Sequence, residues 1–259
     1  MPPVRVALLP SALPSSLRGH VAVVIDVLRA TTTIVHALAS GAREVIPCSE
    51  VAEALAIRDR LGKETCRLGG ERHGLLIEGF DLDNSPFSYT PDSVGGRTVV
   101  FTTTNGTRAL AAVSTADQVL VAGFVNRAAT SERLRADGRP VWIVCAGTDG
   151  GVTAEDVLVA GALAAEIAGA PAEGADCSVE DIEATDARVE ACALSIGFAR
   201  SHAQTYETRL AAMRASRGGQ NLIENGFDRD IARAAEDSVP ELNVVPVFQD
   251  GRVTLSSRS

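Results

Sequence analysis

Aromatic residues and lysine are scarce in this chain of 259 residues. Aromatic side chains make up 4% of the sequence, and Lys63 is the only lysine among the 24 lysines and arginines. With so few aromatic side chains, the protein has few rings on which nucleobases could stack. A formal net charge of −9 also disfavours a nucleic acid or an anionic membrane as partner. Since 46% of the residues are hydrophobic, the core must come from Val, Leu, Ile and Ala, which is typical of parallel α/β layers.

Long apolar runs and paired cysteine motifs are also missing. No run reaches the roughly 18 apolar residues of a membrane span, and the best candidate, residues 21–39, contains Asp26 and Arg29. The five cysteines form no CxxC pattern, which is typical of reduced thiols inside the cell. We therefore expect a soluble, cytoplasmic protein that has no membrane partner.

Aliphatic strands alternate with helical patterns through the first two thirds of the chain. The predicted strands are residues 4–9, 21–27, 44–48, 65–68, 98–102, 119–123 and 141–146. The predicted helices are residues 32–39, 51–61, 107–113, 127–136 and 154–168, the last with Thr153 placed to cap it. This alternation indicates βαβ units and a mainly parallel sheet.

The pattern changes after about residue 170. An acidic loop over residues 173–186 precedes helical patterns at 189–215 and 230–235 and a strand pair at 244–248 and 252–255. Residues 1–150 hold 15 acidic and 15 basic side chains, so the remainder carries the whole net charge. We predict a single α/β domain over residues 1–259, in which a mainly parallel sheet has flanking helices and a more helical C-terminal part. Any division into two lobes would fall near residue 170.

Polar residues follow nearly every predicted strand. In open parallel sheets, ligands bind outside the carboxyl ends of the strands, so these residues predict one shared crevice. The candidates are Asp26, Arg29, Thr31, Thr32, Glu71, Arg72, Asn84, Ser85, Thr103, Thr104, Asn105, Gly106, Thr107, Arg127, Glu155 and Asp156. Taken singly, each also has an ordinary structural explanation, such as a helix cap or a hydrogen bond at a strand end.

The chemistry of this set indicates an oxyanion ligand. Threonine, asparagine and glycine at a helix start offer hydroxyls and backbone N–H groups to a phosphate, and arginines bind it in bidentate fashion. Carboxylates are ligands for Mg²⁺, and oxygens of the substrate can complete its coordination shell. The sequence has no GxxxxGK[ST], GxGxxG or GxSxG motif. Metal-assisted phosphoryl chemistry is therefore the favoured interpretation.

Four long motifs resemble the 2-phosphosulfolactate phosphatase family. They are VVIDVLRATTTI (23–34), GERHGLLIEGFDLDNSP (70–86), TTTNGTRAL (102–110) and CAGTDGGVTAEDVLVAGAL (145–163). The similarity continues through residues 218–230 to VPVF at 245–248. The resemblance implies an α/β fold particular to that family and dependence on Mg²⁺. It also implies hydrolysis of 2-phospho-3-sulfolactate to 3-sulfolactate and inorganic phosphate, a reaction known from the coenzyme M pathway.

We assign roles within these motifs by their chemistry. Asp26, Glu155 and Asp156 are predicted to hold Mg²⁺, while Asp26, Glu71 and Arg29 act in catalysis, with Glu71 as the base. The remaining candidates are predicted to bind substrate: Thr31, Thr32, Arg72, Asn84, Ser85, Thr103, Thr104, Asn105, Gly106, Thr107 and Arg127. Arg72 and Arg127 would read the sulfonate and the carboxylate. An aspartyl intermediate stays open as an alternative to direct attack by water.

Two residues depart from the second family motif, which usually reads GFDxGNSPxE. Asp83 stands where glycine is usual, and Ser88 stands where glutamate is usual. A carboxylate at Asp83 would repel a trianionic substrate unless it points away or joins the metal. Three other functions therefore stay open: a phosphatase of another small phosphorylated hydroxy acid, a non-catalytic binding protein for such an anion, and a phosphotransferase. A homo-oligomer also stays open.

Overall fold

A ten-stranded sheet forms the centre of the computed structural model, which describes residues 1–169, 178–185 and 191–255. The strand order is β1-β8-β2-β7-β9-β10-β3-β6-β4-β5. In chain order the strands are β1 (Val4–Ala7), β2 (Val21–Ile25), β3 (Glu44–Cys48), β4 (Cys66–Arg72), β5 (Leu75–Leu76), β6 (Thr98–Thr102), β7 (Gln118–Val121), β8 (Val141–Cys145), β9 (Pro246–Gln249) and β10 (Arg252–Leu255).

Helices connect the strands and cover the sheet. They are α1 (Ala30–Ala39), α2 (Val51–Leu61), α3 (Pro91–Val94), α4 (Gly106–Ala112), α5 (Arg127–Asp137), α6 (Ala154–Ala168), α7 (Val179–Glu183), α8 (Ala191–His202), α9 (Tyr206–Ala215), α10 (Arg217–Glu224) and α11 (Asp228–Ala234). The prediction of an α/β fold with a mainly parallel sheet is confirmed. No helix within the described ranges has the length and apolar character needed to cross a membrane.

The sheet consists of two parallel blocks. The first block contains β1, β8, β2 and β7, and the second contains β3, β6 and β4. β2 (VAVVI) is buried along its whole length, as expected for a central parallel strand that is covered on both faces. β9 and β10 form an antiparallel hairpin that lies between the blocks, pairing with β7 on one side and β3 on the other.

This hairpin reverses the direction of the second block. Three successive antiparallel pairings separate β7 from β3, so the two blocks run in opposite directions across the sheet. In a flat sheet their carboxyl ends would lie at opposite edges. Asp26 after β2 and Thr103 after β6 nevertheless line the same cleft. Strands of both blocks share a core with α1.

Close backbone contacts fix the helical layer beside the first block. α6 packs against α8 and β1. A side chain at Gly161 of α6 would meet the Ser195 carbonyl oxygen of α8 at 1.8 Å, so glycine permits this approach of the two helices. α6 is buried along most of its length and ends at Gly169 in the left-handed conformation.

The element boundaries differ from the predictions in several places. β4 extends to Arg72, so Glu71 and Arg72 lie on the strand rather than after it. The helical stretch predicted at 189–215 is two helices, because the chain leaves helical geometry between His202 and Tyr206; residues 189 and 190 lie outside the described ranges. β5 and α10 were not predicted.

The acidic segment and the cap of α6 also differ from expectation. Residues 173–177 and 186 of the predicted acidic loop lie outside the described ranges, and Val179–Glu183 is helical. Thr153 occupies the cap position of α6 without a side-chain hydrogen bond to the helix, and Glu183 Oε1 accepts the N–H of the first helical residue, Ala154, at 3.3 Å. Cys48, Cys66 and Cys145 are free thiols, while Cys177 lies outside these ranges.

Candidate active site

A cleft of about 300 Å³ opens where the two blocks meet α10. Its lining comes from the ends of β2, β4, β6 and β8 and from one face of α10. The lining residues are Asp26, Leu28, Arg29, Glu71, His73, Gly74, Asn84, Thr103, Thr104, Asn105, Thr148, Asp149, Gly218, Asn221, Leu222, Glu224 and Asn225. The cleft is therefore polar, and its volume suits a small organic acid.

Asp26 is the buried carboxylate at the base of the cleft. It directly follows β2, and the residue is 8% exposed. Burial, together with the negative charges of Glu71 and Glu155, raises the pKa of Asp26 to about 7. Hydrogen bonds from the backbone N–H groups of Ala30 and Gly106 act in the opposite direction. Asp26 is thus a carboxyl that can exchange a proton near neutral pH.

Glu71 joins two loops of the cleft. Its Oε1 accepts the Thr104 N–H at 2.9 Å and the Thr104 hydroxyl at 3.1 Å, and its Oε2 accepts the Gly74 N–H at 2.7 Å. Gly74 follows His73 in the two-residue turn between β4 and β5, where both residues have positive φ. The Glu71 carboxylate therefore holds this turn against the segment that precedes α4.

Arg29 is the only arginine that lines the cleft in the described part of the chain. Its Nη1 donates to Asp230 Oδ2 at 2.8 Å, and its Nη2 donates to the Gly74 carbonyl oxygen at 2.8 Å. The Phe227 ring lies against the guanidinium, with 4.2 Å between Cζ and the ring centroid. The group is thus rigidly placed, and its remaining N–H groups can serve a ligand.

Glu155 lies behind the α10 wall of the cleft. A side chain at Gly218, which lines the cleft, would meet Glu155 Oε1 at 2.0 Å. Burial raises the pKa of Glu155 to about 7. Its Oε2 atom is buried and has no hydrogen-bond partner among the described residues. An unsatisfied buried carboxylate oxygen next to the cleft is a candidate cation ligand.

Asp156 binds backbone rather than lining the cleft. Its Oδ1 accepts the Val27 N–H at 2.9 Å, and its Oδ2 accepts the Gly147 N–H at 3.0 Å. The carboxylate therefore ties together the residues that follow β2 and β8. Burial and the nearby charges of Asp26 and Glu155 hold the pKa of Asp156 well above its ordinary value.

Several residues predicted to bind substrate instead make local structural bonds. The Thr31 hydroxyl accepts the Asp26 N–H at 3.3 Å, and the Thr32 hydroxyl donates to the Val27 carbonyl oxygen at 2.8 Å. The Thr107 hydroxyl donates to the Thr103 carbonyl oxygen at 2.9 Å. These are the helix-cap and turn bonds to which threonine is well suited after a strand. Gly106 touches Asp26 from the start of α4, although it does not line the cleft.

Two of the predicted arginines point away from the cleft. Arg72 donates to the Ser49 carbonyl oxygen at 2.7 Å and does not line the cleft. Arg127 pairs with Glu166 and Asp237 in a separate pocket. The spacing of the sequence does not reveal these hydrogen-bond and ion-pair partners. Neither arginine lines the cleft in the structure.

Asn84 and Thr103 bring unpartnered polar atoms to the cleft. Asn84 is 4% exposed and Thr103 is 3% exposed. Neither Asn84 Oδ1 nor Thr103 Oγ1 has a hydrogen-bond partner among the described residues. Buried polar atoms of this kind are usually satisfied, so the pair indicates a place for a polar ligand or water. Ser85, by contrast, donates its hydroxyl to Asp230 Oδ1 at 2.8 Å.

The two departures from the family motif bond to each other. Asp83 Oδ1 accepts the Ser88 hydroxyl at 2.6 Å and the Ser85 N–H at 3.0 Å. Asp83 therefore points into its own turn and away from the cleft. Its two hydrogen bonds hold the chain in place around Pro86. The carboxylate expected to repel a polyanion is satisfied locally.

Sequence reasoning missed the wall formed by α10. Gly218, Asn221, Leu222, Glu224 and Asn225 all line the cleft. The search of strand ends could not find them, because they lie on a helix that follows no strand. The available signals were the family similarity over residues 218–230 and Ser216, which caps α10 by accepting the Gly219 N–H.

Comparison with known proteins places the chain in a family. The family model for 2-phosphosulpholactate phosphatase matches residues 7–251. The chain belongs to this family. A probable 2-phosphosulfolactate phosphatase of Symbiobacterium thermophilum is 41% identical over 241 residues, 92% of this chain and 95% of the relative. Another, of Caldanaerobacter subterraneus subsp. tengcongensis, is 37% identical over 235 residues, 90% of each.

Membership of the 2-phosphosulpholactate phosphatase family makes the chain a phosphoric monoester hydrolase. A third relative, from Synechococcus sp., is 39% identical over 243 residues and covers 92% of each chain. The matched region contains every element that builds the cleft, from the end of β2 to α10. The resemblance found in the four sequence motifs is thereby confirmed.

Proposed function

We propose that this family member hydrolyses 2-phospho-3-sulfolactate to 3-sulfolactate and inorganic phosphate, with Mg²⁺ as cofactor. The observation that carries the proposal is the meeting of Asp26, Arg29 and the Thr103–Asn105 segment in one cleft of about 300 Å³. That arrangement joins a proton-exchanging carboxyl, a fixed guanidinium and the unpartnered Thr103 hydroxyl, which is a set suited to a phosphate ester.

The charge of the cleft supports a cation partner. Four carboxylates (Asp26, Glu71, Asp149 and Glu224) and one arginine line it in the described ranges. A substrate that carries phosphate, sulfonate and carboxylate would be repelled by this excess of negative charge. Mg²⁺ would offset the repulsion, and when bound it would neutralise charge on the phosphoryl oxygens.

The residues present fit such an ion. In the described ranges, no group of three or more His, Cys, Asp and Glu side chains is placed to hold a metal by itself. Mg²⁺ commonly takes only one or two protein carboxylates and completes its shell with water and substrate phosphate. Glu71 would be one of those carboxylates and Glu155 Oε2 offers a further oxygen behind Gly218, while Asp26 stays free to exchange a proton.

The side chains of the cleft divide the reaction among themselves. Arg29 and the Thr103 hydroxyl bind the phosphoryl oxygens and stabilise their charge as water attacks phosphorus. The bond between phosphorus and the C2 oxygen breaks, and that oxygen takes a proton to become the hydroxyl of 3-sulfolactate. Asp26, with its pKa near 7, removes a proton from the attacking water or donates one to the leaving oxygen. Glu71 keeps the surrounding loops in place through its three hydrogen bonds.

Release of inorganic phosphate tests the proposal. Purified protein is assayed with 2-phospho-3-sulfolactate, phospholactate and phosphoglycolate, each with Mg²⁺ and with a chelator. We expect the highest kcat/KM for 2-phospho-3-sulfolactate and loss of turnover in the chelator. Release from another ester with equal efficiency would reassign the substrate, tight binding without release would indicate a binding protein, and release that needs an added acceptor would indicate a phosphotransferase.

Substitution of Asp26 tests the site itself. Asp26→Asn should lower kcat by at least about 100-fold, in the range of general acid–base catalysis, while the melting temperature stays close to that of the parent. Asp59→Asn, at an exposed carboxylate of α2, is the matched control and should keep full activity. Full activity of Asp26→Asn would contradict the assignment.

A further inference from the structure

Asp230 is a buried carboxylate that pairs with the arginine of the cleft. It lies in the first turn of α11, 201 residues after Arg29 in the chain. Its side chain is 0% exposed and that of Arg29 is 2% exposed, with 2.8 Å between Nη1 and Oδ2. Neither group can leave such a pair without exposing an uncompensated charge to the protein interior. The two side chains therefore keep a fixed relation to each other.

Both oxygens of the Asp230 carboxylate are engaged. Oδ2 accepts from Arg29, and Oδ1 accepts the Ser85 hydroxyl at 2.8 Å. Ser85 directly follows Asn84, whose side chain lines the cleft. Rotation of the carboxylate would break one of the two bonds, so Ser85 anchors the orientation of Asp230 from the side opposite Arg29.

Two further contacts fix the plane of the guanidinium. Nη2 donates to the Gly74 carbonyl oxygen, and the Phe227 ring covers one face of the group. Hydrogen bonds to described residues use two of its five N–H groups, which leaves three for a ligand. Arg29 therefore presents directed N–H donors to the cleft. Its position is fixed by Asp230, which Ser85 anchors, by the Gly74 carbonyl oxygen and by the Phe227 ring.

We infer that Asp230 is a positioning residue, which holds the Arg29 guanidinium so that its free N–H groups meet the phosphoryl oxygens of the substrate. This inference rests on the proposed function, because it requires Arg29 to bind the group being transferred. The negative charge of Asp230 offsets the positive charge of Arg29, so the pair supplies direction rather than net charge. Loss of Asp230 should therefore lower kcat more than it weakens the binding of phosphate.

The test compares Asp230→Asn with Asp228→Asn, which removes an exposed carboxylate of the same helix that pairs with Arg214. The measurements are kcat and KM for 2-phospho-3-sulfolactate, the inhibition constant of inorganic phosphate, and the melting temperature. Asp230→Asn should lower kcat by about 100-fold, the effect of misplacing a reacting group by about 1 Å. The inhibition constant should change by less than about 3-fold, which is under 1 kcal/mol. Asp228→Asn should leave kcat and KM unchanged.

A double-variant cycle separates positioning from general loss of structure. If Asp230 acts through Arg29, Asp230→Asn should cost less than about tenfold in kcat once Arg29→Lys is present, since coupled residues are not additive. Should Asp230→Asn fail to fold, Ser85→Ala loosens the same carboxylate from its other side and should lower kcat by about tenfold in a folded protein.

Three results decide the outcome. The inference is overturned if the two substitutions multiply independently, or if kcat in Asp230→Asn falls only with the folded fraction. It is also overturned if Ser85→Ala keeps full kcat when Asp230→Asn does not fold. Full activity of Arg29→Lys, in contrast, would contradict the role of Arg29 in the proposed function. Failure of this inference alone would leave Arg29→Lys with lowered but measurable activity and Asp230→Asn with full activity.

Discussion

Gly218→Ala tests whether the α10 wall controls the position of Glu155. The added methyl carbon would lie 2.0 Å from Glu155 Oε1 and 2.9 Å from Cδ. Contacts under 3.0 Å do not persist, so the carboxylate must move by about 1 Å, and a shift of that size can cost about 100-fold in rate. Glu155 itself is only 2% exposed, so its carboxylate lies almost entirely inside the protein. We therefore expect kcat/KM to fall by about 10-fold to 100-fold.

The stability of Gly218→Ala should change much less than its activity. Overpacking typically costs about 1–3 kcal/mol. Alanine returns about 1 kcal/mol through its higher helix propensity, because Gly218 has helical backbone within α10. The free energy of unfolding should thus fall by no more than about 2 kcal/mol, which urea unfolding can measure. Gln220→Ala, on the exposed side of the same helix, is the control and should keep full activity.

A second substitution shows whether Glu155 carries the effect. Glu155→Asp shortens the side chain by about 1.5 Å and makes room for the methyl group. The loss caused by Gly218→Ala should therefore be smaller when Glu155→Asp is present than in the parent. Equal losses in both backgrounds, or full activity of Gly218→Ala, would refute the reasoning. The phosphate-release assay at saturating and limiting substrate supplies both kinetic constants.

Two predictions concern groups away from the cleft. Burial, and then the charge of Arg233, lowers the pKa of His36 from 6.5 to about 4, so the unfolded chain takes up the proton first as pH falls. Compared with His36→Gln by urea unfolding, the parent should gain about 3 kcal/mol from neutral His36 above about pH 6.5 and lose this difference by about pH 4, because Asp26 and Glu155 titrate alike in both proteins; an unchanged difference across this range would contradict the prediction. Arg127→Met should keep kcat/KM within about twofold. It should lose about 1–3 kcal/mol of stability, because Glu166 and Asp237 lose their partner. A large rise in KM would instead show that Arg127 binds the substrate.

The sequence predicted best where a signal is local. The helix Ala154–Ala168 matches its prediction at both ends, because an acidic first turn opens an apolar pattern that Gly169 closes. β3 and β6 match for a similar reason, since short aliphatic runs end at clear turn residues. Asp26, Arg29 and Thr103 were placed at the cleft because each lies within a few residues of a strand end.

The sequence predicted worst where a contact joins distant segments. Arg127 follows a strand as a ligand residue would, but Asp237 is 110 residues away and takes its guanidinium. Arg29 likewise depends on Asp230, which no spacing rule connects to it. The predicted shared crevice forms even though β9 and β10 reverse the second block, a reversal that the strand patterns did not predict. Tertiary pairing of this kind is set by the whole fold and leaves no periodic trace in the sequence.

The position of the β9–β10 hairpin has a consequence for biosynthesis. The strands on either side of it, β7 and β3, are synthesised long before residues 246–255 leave the ribosome. Each parallel block can assemble around its own helices as it emerges, since its contacts lie within earlier segments. The two blocks become one sheet only when the hairpin enters between them. A ribosome that stalls before residue 246 would thus expose two strand edges at once, and these edges are where association with other chains would start.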